Sequence, residues 1–269
     1  MSGPIRLGTQ GWTYPDWVGP FLPEGSRPPR HLTLYARAFD TVEVDSTFYA
    51  LPAERTVRSW VERSHPGFVF SVKLPREITH ERRLRDAARP LAEFIERVRL
   101  LEDRLGPLLI QLGPDFAPTE EGALFHFLDL LPGDLRFAVE FRQRGWITGP
   151  IHERLQERGV AICLSEGQWL PRGWVMALAE RPTADFHYLR WMGFDRSITD
   201  FSHEQVDRSD ELDEWAAVLQ RASGRVSGIF GYFNNYYSGH APAAVRALQR
   251  RLGQEPVEPR DIGEQTALF

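Results

Sequence analysis

Along the chain, eight short apolar runs alternate with longer stretches of helical periodicity. The apolar runs are residues 5–9 (IRLGT), 41–45 (TVEVD), 68–73 (FVFSVK), 107–112 (PLLIQL), 135–141 (LRFAVEF), 160–165 (VAICLS), 186–192 (FHYLRWM) and 226–233 (VSGIFGYF). They are rich in β-branched and aromatic residues, which marks them as strands. Most are almost continuously apolar, as parallel strands covered on both faces are. Between them, residues 30–39 place Leu34, Tyr35 and Ala38 on one helical face. Residues 52–64 open on a proline, which suits a first helical turn. Residues 87–106 form the longest periodic stretch and close on Gly106, a stop signal. Helices are also predicted over 119–133, 147–159, 209–224 and 241–253. Residues 166–185 are weakly patterned, so the sixth helix is expected to be short or replaced. Eight strands alternating with helices predict one α/β domain, a (β/α)8 barrel over residues 1–252. The Pro/Glu-rich tail, 253–269, is expected either to be mobile or to lie across the barrel surface.

Composition sharpens this picture. A chain of 269 residues with 42% hydrophobic and 26% charged residues can bury a large core without staples. Cys163 is the single cysteine, so no internal disulfide can form, and a reducing compartment is expected. No apolar run reaches the length of a membrane span, and "MSGPIRLGTQ" lacks the basic-then-apolar pattern of a signal peptide. A soluble cytoplasmic protein without membrane partners is the expectation. A formal net charge of −5 argues against a surface that coats nucleic acid, though not against a local basic cleft.

Candidate chemistry gathers at the strand ends, where barrels of this type carry their sites. In the second run Val42 and Val44 alternate with Glu43 and Asp45, so the two acids share a face. With the valines toward the helices, the acids point inward. Glu43, Asp45, Glu140 and Lys73 are the candidate catalytic groups. Candidate ligand-binding residues are Thr9, Trp12, Tyr49, His80, Gln111, Arg142, Arg190, Trp191, Tyr232, Asn234 and Asn235, each at or just beyond a strand's C-terminal end. Asn234 and Asn235 lie after the eighth strand, where many barrels bind phosphate at a helix N-terminus.

The ordered blocks "GTQGWTYPDWVGPF", "FDTVEVDSTFYALP", "FSVKLPREITH", "GPLLIQLGP", "FAVEFR", "YLRWMG" and "GYFNNYYSGHAP" resemble the YecE-like family, domain of unknown function 72, over roughly residues 5–252. The resemblance implies a TIM barrel and no established activity. It departs at two points. The family often ends strand seven in Arg-Leu-His-Gly, where this chain has Arg190-Trp191-Met192-Gly193. It often places an aspartate after strand six, where this chain has Ser165-Glu166.

Three readings of the acids stand. They are an acid/base set, metal ligands together with His80 or His187, or a buried network neutralised by Lys73, Arg142 and Arg190. No His-x-His or Cys/His spacing favours metal, and none is expected; no cofactor motif is present either. Lys73 occupies a position suited to a Schiff-base lysine, although ion pairing is the commoner role there. Cys163 reads as core packing. Trp12, Trp17, Phe48, Tyr49, Trp146, Trp191 and Tyr232 could stack on a planar or sugar-like ligand, and Trp17 and Trp60 could equally be packing anchors. "PREITHERRLR" (75–85) reads equally as an anion-binding lid or a solvated charged connection. The leading expectation is an enzyme binding a small anionic ligand, phosphate- or sugar-bearing, at the barrel mouth, which includes hydrolase chemistry. The alternatives are an endonuclease-IV-like phosphodiesterase acting on nucleic acid, by fold analogy alone, or a non-catalytic binding barrel.

Overall fold

In the computed structural model, which describes residues 3–263, every apolar run contains a strand. The strands are β1 (Ile5–Thr9), β2 (Thr41–Val44), β3 (Val69–Lys73), β4 (Leu105–Gln111), β5 (Phe137–Glu140), β6 (Ala161–Glu166), β7 (Phe186–Trp191) and β8 (Gly228–Phe233). All ladders are parallel, strands adjacent in sequence are adjacent in the sheet, and β1 returns to pair with β8. The chain folds as a (β/α)8 TIM barrel. Its outer layer is α1 (Pro28–Ala38), α2 (Glu54–Glu62), α3 (Ala88–Val98), α4 (Glu121–Leu128), α5 (Gly149–Gln156), α6 (Arg172–Ala179), α7 (Ser209–Ser223) and α8 (Ala241–Arg251), with a final turn α9 (Pro259–Ile262).

The helix expected over 87–106 is broken. It stops at Val98, and Arg99–Arg104 tighten into 3-10 turns interrupted at Glu102, whose φ is 55°. Gly106 does not stop a helix; it belongs to β4. A Cβ there would come 2.4 Å from Val69 Cγ1, so close strand packing explains the glycine. The sixth helix, α6, spans 8 residues.

Strand alternation creates two apolar cores. Val42, Val44, Phe70, Val72, Leu189 and Trp191 face the helices. Leu109, Ala138, Cys163, Tyr188, Phe230 and Tyr232 fill the barrel's interior. Each valine, leucine or phenylalanine among them contributes about 1.5–3 kcal/mol by leaving water.

The seam between β1 and β2 is closed differently from the other seven. At its upper end Gln10 bridges Glu43, with the Gly11 N–H donating to the Glu43 carbonyl at 2.9 Å. Below that, a side chain replaces the ladder. The Tyr35 hydroxyl, from α1, accepts from the Thr9 N–H at 2.9 Å and donates to the Thr41 carbonyl at 3.0 Å. Gly8 leaves room for this, since a Cβ there would lie 2.1 Å from the Thr41 oxygen.

The described part of the tail packs on the barrel. Ile262 is buried, its carbonyl accepts from Arg37 Nη1 at 2.8 Å, and Gln254 Nε2 donates to the Ile5 carbonyl at 2.9 Å. Residues 264–269 of the expected tail lie outside the described residues. Among the described residues no helix is long and apolar enough to cross a membrane.

Candidate functional site

Inward-facing positions at the upper ends of β2, β5 and β7 meet on the barrel axis. Arg190 lies between two carboxylates. Its Nε and Nη2 donate to Glu43 Oε1 at 3.2 and 2.8 Å, and its Nη1 donates to Glu140 Oε2. The other oxygen of Glu43 accepts from the Tyr188 hydroxyl at 2.7 Å. The other oxygen of Glu140 accepts from Arg142 Nε at 3.0 Å. Glu43, Glu140 and Arg190 are buried, and Arg142 is partly exposed above them. Burial pushes the Glu140 carboxyl up, but Arg190 and Arg142 outweigh it and hold it at about 2. Burial opposes the Arg190 cation, and Glu43 and Glu140 together hold it charged. Two acids and two arginines therefore form a neutral group, each charge paired.

Lys73 stands beside this group without belonging to it. It points inward from the end of β3 and is 8% exposed. Among the described residues no carboxylate lies within ion-pair distance of its Nζ, which sits 3.8 Å from the centroid of the Phe48 ring. Burial, then Arg190, lowers the amine from 10.5 to about 8, against the pull of Glu140 and Glu43. Lys73 is also the chain's only lysine, the other 31 of its 32 basic Lys and Arg side chains being arginine. His80 meets the same Phe48 ring edge-on at 5.0 Å. Its Nδ1 shares a 2.8 Å hydrogen bond with Thr79 Oγ1, and Nε2 faces Gln111 Nε2 at 3.5 Å. Burial, then Lys73, lowers its imidazole from 6.5 to about 4, so it is neutral at pH 7. Across the barrel Ser165, also inward and 3% exposed, has a hydroxyl with no hydrogen-bond partner among the described residues.

The family described as "Protein of unknown function DUF72" matches residues 6–266. The chain belongs to that family. Among curated relatives it is 35% identical to the UPF0759 protein YecE of Escherichia coli K12 over 156 residues, 58% of this chain; the match spans about half of that relative, 55% of its length. A DUF72 family protein from Thermotoga maritima superimposes with a TM-score of 0.76 at 26% identity, covering 91% of this chain and 97% of that one. One from Enterococcus faecalis V583 gives 0.76 at 19% identity, covering 94% and 97%, a likeness of fold alone.

The remaining candidates of this DUF72 protein fall into three groups. Asp45, Trp12, Tyr49 and Asn234 are at the rim. Asp45 is half-buried near Tyr14, outside the carboxylate–arginine group. Trp12 packs edge-on against Trp60 and Phe70, and Tyr49 is 80% exposed. Asn234 donates to Gln10 Oε1 at 2.8 Å, and Gln10 Nε2 contacts Met192 Sδ at 3.0 Å. Gln111 points inward beside His80. The third group does not reach the mouth, and these expectations are corrected. Trp191 is fully buried toward the helices, stacked on Phe233 at 4.1 Å, because it alternates with inward Arg190. Thr9 is turned outward to the Tyr35 seam. Tyr232 points inward but lies deep, bonded to Ser71 at 2.6 Å and Thr41 at 2.8 Å. Asn235 is occupied structurally, accepting from Trp17 Nε1 at 3.2 Å and from the Ala241 N–H at 3.0 Å.

The other residues singled out in the sequence are placed as follows. His187 is on the helix-facing side of β7, away from the acids, and among the described residues no three His, Cys, Asp or Glu side chains cluster as metal ligands. Cys163 is inside the barrel core, where burial and then Glu140 push its thiol well up, the opposite of an activated nucleophile. Trp17 and Trp146 are fully buried packing residues. The arginines of the β3–α3 connection are neutralised: Arg76 by Glu81 at 3.6 Å, Arg82 by Glu77 at 2.9 Å, Arg83 by Asp115 and Glu120, and Arg85 by Glu120 at 2.8 Å. Glu166 turns outward, bonded to Trp215 and to Arg172 at 3.2 Å. Tyr188 was missed in the sequence, although its two-residue spacing from Arg190 places both on one face.

Proposed function

We propose that this protein is an enzyme whose barrel mouth binds a small anionic ligand, with Lys73 as the cation that meets it and Arg142 and Ser165 as further polar contacts. One observation carries the reading: among the described residues Lys73 is a buried cation left without a carboxylate, while the neighbouring acids, Glu43 and Glu140, are taken by Arg190 and Arg142. A buried charge without a partner is costly, and an anionic ligand would supply the partner. The pairing of both acids also weakens a glycosidase-like reading. That chemistry needs one carboxyl kept protonated near neutrality, whereas Glu140 is held at about 2. Arginines of the rim that are already paired support a small ligand over a duplex. The Glu43–Glu140–Arg190 group then serves as the rigid floor of the pocket, and a cytoplasmic location accords with this use.

The test is ligand-induced stabilisation. Inorganic phosphate, pyruvate and dihydroxyacetone phosphate are titrated in turn against the protein, with melting temperature as the readout. At least one should raise the melting temperature of the wild type and fail to do so in Lys73→Ala and Arg142→Ala. Equal shifts in all three proteins, or no shift with any anion, would overturn the reading.

A further inference from the structure

We propose that Lys73 is a covalent nucleophile, forming an imine with a carbonyl-bearing anion such as a 2-oxo acid or a phosphorylated ketone. The inference rests on the anion-binding reading above and names the substrate class for the same pocket. Its argument begins with the choice of side chain. Every other Lys or Arg position in the chain is arginine, including each cation of the mouth that pairs a carboxylate. Were Lys73 required only as positive charge, a guanidinium would serve and would bind an anion in two places at once. What an amine offers in addition is a removable proton and a nucleophilic lone pair.

The surroundings suit that use. One side of Nζ is closed by the Phe48 ring at 3.8 Å, an apolar wall that sheds water and would slow hydrolysis of an imine. Among the described residues no carboxylate holds the amine as an ion pair, so it is free to lose its proton. The amine, lowered to about 8, has a substantial neutral fraction near physiological pH. Arg142, partly exposed beside the group, is positioned for the ligand's carboxylate or phosphate, and the unpartnered Ser165 hydroxyl is available to the remaining oxygen. Neutral His80, which shares the Phe48 wall, is a neighbouring group that can pass protons.

The step balances without an oxidant or reductant. The ammonium first gives a proton to solvent. The neutral amine adds to the carbonyl carbon, the C–N bond forms, and the carbonyl oxygen takes a proton. The C–O bond of this carbinolamine then breaks, and both amine hydrogens have left with the oxygen as water. The imine carries one further proton when it acts as an electron sink, and hydrolysis returns the free lysine.

Because the chain has one lysine, the test is clean. The full-length protein is incubated with pyruvate, glyoxylate or dihydroxyacetone phosphate, reduced with borohydride, and read by intact mass and peptide mapping. One adduct per chain on the Lys73 peptide is expected with at least one compound, and none there in Lys73→Arg, whose folding is checked by melting. The trapping rate should rise with a midpoint near 8, not near the ordinary 10.5 of a free lysine. Absence of an adduct on Lys73 with all three compounds, or an adduct at the chain's N-terminal amine alone, overturns the inference. If phosphate still stabilises the wild type in a Lys73-dependent manner, only the covalent step has failed. If that stabilisation is absent as well, the anion-binding reading fails with it.

Discussion

Lys73 lies 3.8 Å above the ring of Phe48, while the neighbouring carboxylates of Glu43 and Glu140 both turn away from it toward Arg190. The fold thus retains a buried ammonium at neutral pH. Its folded pKa, about 8, is below the ordinary 10.5, so the unfolded chain binds the proton more tightly. The cost is fully present below pH 8, fades between 8 and 10.5, and is absent above. Lys73→Met should therefore stabilise the protein at pH 7 by up to about 2–3 kcal/mol, and the gain should vanish above pH 10.5. Urea unfolding of both proteins at the two pH values checks this. A variant less stable than wild type at pH 7 would show that Lys73 has a stabilising partner.

Glu43→Gln should act in the opposite direction. It removes one of the two charges balancing Arg190 and weakens a fully buried pair, a change expected to cost about 3–5 kcal/mol. The cost should be much smaller in an Arg190→Met background, because the stranded charge is then gone. A double-mutant cycle with urea unfolding measures the difference. Additive losses would mean that the two side chains are not coupled.

Acid should destabilise the fold before the carboxylates titrate. Buried His187 and His240 are held neutral, each lowered by burial from 6.5 to about 4. Folded values below the unfolded one mean that their contribution is complete above pH 6.5 and is lost as pH falls toward 4. His187→Leu should reduce the slope of unfolding free energy against pH near 5 by about one proton, roughly 1.4 kcal/mol per pH unit. An unchanged slope would place the proton uptake elsewhere.

Tyr35→Phe tests the β1–β2 seam. It leaves the Thr9 N–H and Thr41 carbonyl, both bonded to the hydroxyl, without that partner. A loss of about 1–3 kcal/mol is expected, with amide exchange at Thr9 accelerated more than at Lys73 on the far side of β2. Uniform acceleration across the barrel would show that the hydroxyl has no local role.

The barrel was legible in the sequence because its signal is local: a strand's apolar run and a helix's period each lie within a dozen residues. Alternation made Glu43 legible too, since Val42 and Val44 point to the helices. The same alternation places Trp191 opposite Arg190, and an aromatic at a strand end suggested a ligand contact that the neighbouring residue's direction excludes. Partner choice was not legible. Asn235 is committed to Trp17, 218 positions away in sequence, and Arg190 joins acids from β2 and β5, so nothing local announces that Lys73 is left over. One signal was available without coordinates: the lone lysine in a chain otherwise built with arginine.

The Tyr35 seam has a consequence for how the barrel can deform. A continuous parallel ladder resists separation along its whole length, whereas β1 and β2 are tied by a phenol anchored on α1 and by the contacts of Gln10 and Gly11 with Glu43. Glu43 is thus both a member of the buried carboxylate–arginine group and part of the barrel's own fastening. A small outward movement of α1 would draw the phenol from between the strands and leave the contacts at Glu43 as the remaining fastening of β1 to β2. The barrel's irregular seam and its buried carboxylate–arginine group then share Glu43, and strain applied to either is felt by the other.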